Sequence, residues 1–202
     1  MSIHFQHQWV IASSNVKKRQ EIAEILASLG IELLSAEETI FVEVDEDQDS
    51  FEGNARKKAI AFAKVNGKPA LADDSGLCVE ALGGAPGIYS ARFAGEHGSD
   101  AANNHKLLTL MQGETNRQAY FMCALHVAFP DDTAPLSCEG RVDGLILNEA
   151  LGASGFGYDP LFFCPELNKA FALASAEEKA AVSHRGRALR ALLKKLQHNN
   201  GS

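Results

Sequence analysis

No stretch of this sequence approaches the ~20 consecutive apolar residues of a membrane-spanning helix. The first apolar run, Trp9 to Ala12, has no basic flank and so lacks the pattern of a secretory signal. Cations are in deficit: 19 Lys and Arg face 26 Asp and Glu, a formal charge of −7. That balance argues against broad, sequence-independent DNA binding, which relies on many phosphate contacts, and no nucleic-acid partner is expected. It leaves room for a small anion held by locally gathered charge. Cys78, Cys123, Cys138 and Cys164 form no CxxC pair, a poor pattern for zinc or for disulfides. They read as reduced thiols of a cytoplasmic protein. The histidines have no HxxxH or HExxH context, so they are not expected to bind metal. There is no GxxxxGK[ST] phosphate loop and no GxSxG elbow. Repeats, low-complexity tracts and linkers are also missing, so residues 1–202 read as one domain of ordinary globular composition, 46% hydrophobic and 22% charged.

What is present alternates between strand and helix patterns. Trp9 to Ser13 is strand-like. Asn15 can cap a helix carrying Ile22, Ile25, Leu26 and Leu29 on one face, closed by Gly30. Ile31 to Leu34 and Phe41 to Val44 are strand-like, and a second helix runs from about Phe51 to Val65. Ala70 to Ala72 is a short buried strand leading into an Asp73-Asp74-Ser75-Gly76 turn. A third helix covers roughly Ala101 to Met111. Ala119 to Phe129 and Leu136 to Ile146 are two long strands, and a last helix starts near Ser183. Early alternation followed by a hairpin points to α/β with a mixed sheet and flanking helices.

Charge departs from local rules in three places, where function is expected. From Glu37 to Glu52 there are eight carboxylates and no cation. Asp45-x-Asp47-x-Asp49 imitates a calcium loop, but Ser50 stands at its turn and Arg56 at its twelfth position. Most of these acids read as a solvated loop. Asp74, at a strand end, is the better candidate for a hard cation or for catalysis. Second, Lys17, Lys18 and Arg19 follow Asn15, and His184 and Arg185 follow Ser183. Cations at a helix N-terminus oppose its dipole, so an anion is expected at each. Third, Lys58 shares a helical face with Phe51 and Phe62, so either its stem snorkels or that face borders a polar cleft. Phe156 and Tyr158, between glycines, could offer a flat surface to a nucleobase or belong to the core.

Together these segments resemble the inosine triphosphate pyrophosphatase (Ham1-like) family. The likeness rests on six motifs in family order, spanning about Val10 to Leu196. They are Ser13-Ser14-Asn15-Val16-Lys17-Lys18; Phe51-Glu52-Gly53-Asn54-Ala55 with Lys58; Ala72-Asp73-Asp74-Ser75-Gly76-Leu77; Leu82 to Arg92; Gly155-Phe156-Gly157-Tyr158-Asp159-Pro160; and Ser183-His184-Arg185-Gly186. The resemblance implies an elongated, two-lobed single domain with a central cleft. It implies hydrolysis of ITP, dITP and XTP to the monophosphate and pyrophosphate, with Mg2+, in a homodimer. By position it implies that Ser13, Ser14, Asn15, Val16, Lys17, Lys18 and Lys58 hold the triphosphate, and that Glu46 and Asp74 bind the metal. Asp74 would also activate water, and Ser75 would touch substrate. Phe156, Gly157, Tyr158, Asp159, Lys179, His184 and Arg185 would enclose base and sugar. Lys17 stands where the family often has Gly. The alternatives are a Maf-like pyrophosphatase for other nucleotides and a nucleotide-binding module without turnover.

Overall fold

The computed structural model describes residues 8–27, 31–95, 99–131 and 133–199. Leu29 and Gly30, expected to end the first helix, lie outside them. The elements in order are β1 (Gln8–Ile11), α1 (Val16–Ala27), β2 (Glu32–Leu33), α2 (Phe51–Asn66), β3 (Ala70–Val79), α3 (Asp100–Leu110), β4 (Gln118–Ala128), β5 (Leu136–Ile146), β6 (Phe162–Cys164), β7 (Lys169–Ala170), α4 (Ala176–Val182) and α5 (His184–Asn199). The strands form one mixed sheet in the order β2-β1-β3-β4-β5-β6-β7. β1 runs parallel to β2 and β3, whereas β6 is antiparallel to both β5 and β7. The chain folds as two compact units, and β3, β4 and β5 each give residues to both. Among the described residues, no helix is long and apolar enough to cross a membrane.

The first unit comprises residues 1–74, 123–140 and 185–202. Successive strand residues point to opposite faces, and both faces here are covered. Trp9, Ile11, Leu71, Cys123, Leu125 and Val127 pack against α1 and α5 through Ile22, Leu26, Leu189 and Leu192. The alternate set, Val10, Ala12, Ala70, Ala72 and Ala128, packs against α2 through Ala59, Phe62 and Ala63. Near-continuous apolar runs are the mark of strands buried on both faces.

The second unit comprises residues 75–122 and 141–184. Its core joins Leu77, Val79, Phe121 and Val142 to Leu107 of α3, to Met111 just after it and to Phe162 and Phe171. β5 alternates strictly, with Arg141, Asp143 and Leu145 exposed and Val142, Gly144 and Ile146 buried. Arg117 ties three carbonyls together, donating to Met111 O at 2.9 Å, Ile146 O at 2.8 Å and Leu147 O at 2.6 Å. Arg117→Ala strands these carbonyls, with an expected loss of about 2–3 kcal/mol. Urea midpoints check this, and Arg117→Lys should recover less than half because an ammonium lacks the fork.

Two sequence expectations need correction. Phe41 to Val44 is not a strand. Asn66 satisfies both backbone groups of Ile40, accepting from its N–H at 2.8 Å and donating to its carbonyl at 3.0 Å, which substitutes for a ladder. Val42 and Val44 then rest on the α2-side core. The Asp73-Asp74-Ser75-Gly76 stretch is not a turn either: β3 runs straight through it to Val79. Two adjacent aspartates tolerate a buried strand because each finds cations or donors on its own side, as described below. α4 was not expected, although its capping box, Ser175 with Glu178, is written in the sequence.

Candidate active site

Within the first unit, Asp73 and Asp74 are neighbours on β3 with side chains on opposite faces. Asp73 looks toward α1 and α5. Its Oδ2 accepts from Arg185 Nη2 at 3.0 Å and lies 3.3 Å from Lys18 Nζ. Arg185 also donates to Glu21 on α1. Burial alone would raise the Asp73 pKa, but Lys18, Arg185 and Lys58 outweigh it and hold the carboxylate far below its usual range. Burial would likewise lower the Arg185 pKa; Asp73 and then Glu21 reverse this and fix it as a cation.

Asp74 looks toward α2. Its Oδ2 accepts from Asn54 Nδ2 at 3.0 Å, and its Oδ1 lies 3.7 Å from Lys58 Nζ. Lys58 Nζ also donates to Glu46 Oε1 at 2.5 Å and to the Asp73 carbonyl at 2.8 Å. One ammonium is therefore shared by two carboxylates. Burial is the leading cause that pushes Asp74 up to about 6; Lys58 opposes it and the nearby Glu46 charge adds to it. For Lys58, burial would lower the pKa, but Asp74, Asp73 and Glu46 carry it upward.

Glu46 reaches this point because the acidic segment is laced onto α2. Ser50 caps the helix by accepting from Gly53 N, and Gly67 closes it at φ 60°. A Cβ on Gly53 would lie 2.8 Å from Gln48 Cβ, so only glycine lets Gln48 close in. Asn54 Oδ1 then accepts from Gln48 N at 3.0 Å, and Lys57 Nζ donates to Asp45 O at 3.0 Å and Asp47 Oδ1 at 2.8 Å. Asn54, buried at 1% exposure, thus serves the acidic segment with one end and Asp74 with the other. The residue patterns assigned it no role.

The β1–α1 turn is organised by its own side chains. Asn15 N donates to Ser13 Oγ at 3.2 Å, and Asn15 Oδ1 accepts from Lys18 N at 3.1 Å, a cap bond. Ser14, Val16 and Lys17 are exposed there, where α1 presents its positive end. Arg19, grouped with them as an anion-facing cation, is committed elsewhere. It donates to Ile11 O at 2.9 Å and lies 5.6 Å from the Phe41 ring centre. The sequence reading is corrected on Arg19, whose fork suits backbone carbonyls behind the turn.

Within the second unit, Asp159 Oδ2 accepts from Phe156 N at 2.9 Å and from Lys179 Nζ at 2.6 Å. Lys179 Nζ stands 4.8 Å from the Phe156 ring centre, in cation–π range. Gly155, at φ +80°, has no room for a Cβ against the Asp159 carboxylate. Phe156 is half-buried. Tyr158 is different: at 4% exposure it sits in the core and donates its hydroxyl to Ser90 O at 2.9 Å. Of the two readings open for its ring, base platform or core, the structure agrees with the core; apolar neighbours and a buried carbonyl partner hold it inward. His184 stacks on Phe121, with ring centres 4.7 Å apart and planes 12° from parallel. Ser75 is half-buried in β3.

The Ham1 family model matches residues 9–195. The chain is 52% identical over 181 residues to the dITP/XTP pyrophosphatase of Desulfotalea psychrophila, covering 89% of this chain and 81% of that one. It is 50% identical over 188 residues to the dITP/XTP pyrophosphatase of Aromatoleum aromaticum, covering 93% and 95%. Among solved structures, the Staphylococcus aureus Ham1 protein superposes with a TM-score of 0.85 at 41% identity, covering 95% and 98% of the two chains.

Proposed function

The chain belongs to the Ham1 family, and on that premise we propose that it hydrolyses the non-standard purine nucleoside triphosphates ITP, dITP and XTP to the monophosphate and pyrophosphate. The observation that carries the reading is the sharing of the Lys58 ammonium by Glu46 and Asp74. A binding module needs no acid–base group, whereas Asp74, raised to about 6, is a base matched to neutral pH. It also bears on the metal. A cationic nitrogen between two carboxylates marks a place that suits a hard divalent ion. Among the described residues, no three His, Cys, Asp or Glu side chains gather to hold a metal. Magnesium is usually held by one or two carboxylates, with water and phosphate completing its shell, so Glu46 and Asp74 fit it. When bound, Mg2+ supplies charge neutralisation and polarisation at phosphorus.

The chain's own residues do the rest. Ser13, Ser14, Asn15, Val16, Lys17, Lys18 and Lys58 are assigned to the triphosphate, supported by the N-terminal end of α1 and its lysines. Asp74 takes the proton of the attacking water, held by Asn54. Ser75 is assigned to substrate beside it. Phe156 offers its face to the base, with Gly157, the Tyr158 backbone, Asp159 and His184 around it, and Lys179 is the donor for a purine 6-oxygen. Arg185, ion-paired with Asp73, belongs to the same assignment. An amino group at that position leaves Lys179 facing a donor, and sites built on such hydrogen bonds discriminate strongly. We extend the proposal to a homodimer in the cytoplasm; four buried free cysteines support a reducing compartment.

Pyrophosphate release from dITP, ITP, XTP, GTP, ATP and dTTP, with and without magnesium, tests the reading. The first three should be cleaved at least about 100-fold faster than ATP, and only with the metal. Preference for dTTP would favour the Maf-like alternative, and binding without release would favour a module without turnover.

A further inference from the structure

The Phe156 loop has no regular secondary structure, yet both backbone polar groups of Gly157 are held by one helix. Gly157 N donates to Asp100 Oδ2 at 2.7 Å, and Gly157 O accepts from Asn104 Nδ2 at 3.0 Å. Asp100 and Asn104 are four residues apart on α3 and so share a face. Ser99 caps that helix, accepting from Ala102 N at 3.2 Å, which fixes the direction of its first turn. Gly157 is in the left-handed region at φ +61°, and Gly155 at φ +80°. Phe156 thus hangs between two left-handed glycines, and its ring direction follows from the peptides on either side. Its own N–H is held by Asp159.

We propose that Asp100 and Asn104 are positioning residues that set specificity by fixing the two peptides that flank the Gly157 Cα, and through them the Phe156 ring and its distance from Lys179. This rests on the assignment of Phe156 and Lys179 to the base. Neither α3 side chain touches substrate. The simpler account of Asp100, an acid at a helix N-terminus favoured by the dipole, does not explain a 2.7 Å bond to a loop 57 residues away. Nor does it explain why Asn104 takes the carbonyl of the same glycine.

Kinetics of Asp100→Ala and Asn104→Ala test the proposal. Each should raise KM for dITP roughly five- to tenfold, the scale of one lost hydrogen bond, with kcat within about twofold. Inhibition by inorganic tripolyphosphate, which carries no base, should be unchanged. Asp100→Asn keeps an acceptor and should restore KM; Asn104→Asp turns an acceptor toward the Gly157 carbonyl and should not. An unchanged dITP KM in both alanine variants, or equal weakening of dITP and tripolyphosphate, would overturn the positioning role. Wild-type protein that releases no pyrophosphate from dITP would instead remove the functional reading itself.

Discussion

Asp74→Asn is expected to abolish turnover and stabilise the protein at the same time. The loss of a general base costs about 10²- to 10⁴-fold in kcat. The gain follows from linkage. The carboxyl rises from the ordinary aspartate value of 3.8 to about 6 in the folded chain, chiefly by burial. A raised acid pKa means that the native state holds the proton more tightly than the unfolded chain between about pH 4 and 6, so stability falls as pH rises through that window. Above it the full cost stands, about 3 kcal/mol for about two pKa units. An asparagine at 74 can still accept from Asn54 and has no charge to desolvate, so part of that net cost, in which the Lys58 attraction is already counted, is relieved. The expected gain is about 1–2 kcal/mol, or about 3–6 °C in Tm for a chain of this size. Thermal scans with a chelator present should show the gap at pH 7.5 and its near closure at pH 4.5. A variant less stable than wild type at pH 7.5 would mean that the ionised carboxylate contributes to the fold.

Arg185→Ala carries the second large effect. Arg185 is 2% exposed and Asp73 1%. Removing Arg185 leaves the buried Asp73 carboxylate with Lys18 as its remaining cation and costs about 3 kcal/mol, the low end for breaking a buried pair, or about 10 °C in Tm. Asp73 works with pH in the opposite sense to Asp74. Its depressed pKa gives stability that is complete above about pH 4 and lost as pH falls further. The double variant Asp73→Asn/Arg185→Met should recover part of the loss, because the two charges then left without these partners, Lys18 and Glu21, both keep access to water. Strictly additive losses in that cycle would show that the two residues do not act together. Selectivity between ITP and ATP is best read in Arg185→Lys, which keeps the charge while lacking a fork that can serve Asp73 and Glu21 together.

Much of this was legible in the residues. The apolar face of α2 left Lys58 without an easy exit, and the structure gives it Glu46 and the Asp73 carbonyl. Cations at two helix starts called for anions, and one answer is internal: Lys18 and Arg185 both meet Asp73. That carboxylate was invisible as a partner because it lies far along the chain from both cations, 112 residues from Arg185. Arg19 shows the limit of reading by proximity, since its target is carbonyls that carry no side-chain signature. Asn54 was hidden for a related reason: its Oδ1 serves a backbone N–H. Tyr158 shows the remaining gap, because an aromatic beside glycines reads alike whether it faces solvent or core.

Asp73 and Asp74 are the same letter written twice, yet the pleat of one strand makes them unlike chemicals. The first behaves as a permanent anion, an anchor that never titrates in life. The second can lend and reclaim a proton near neutrality. Neither can stand in for its twin, so inserting or deleting one residue ahead of the doublet would exchange their surroundings while leaving its composition intact.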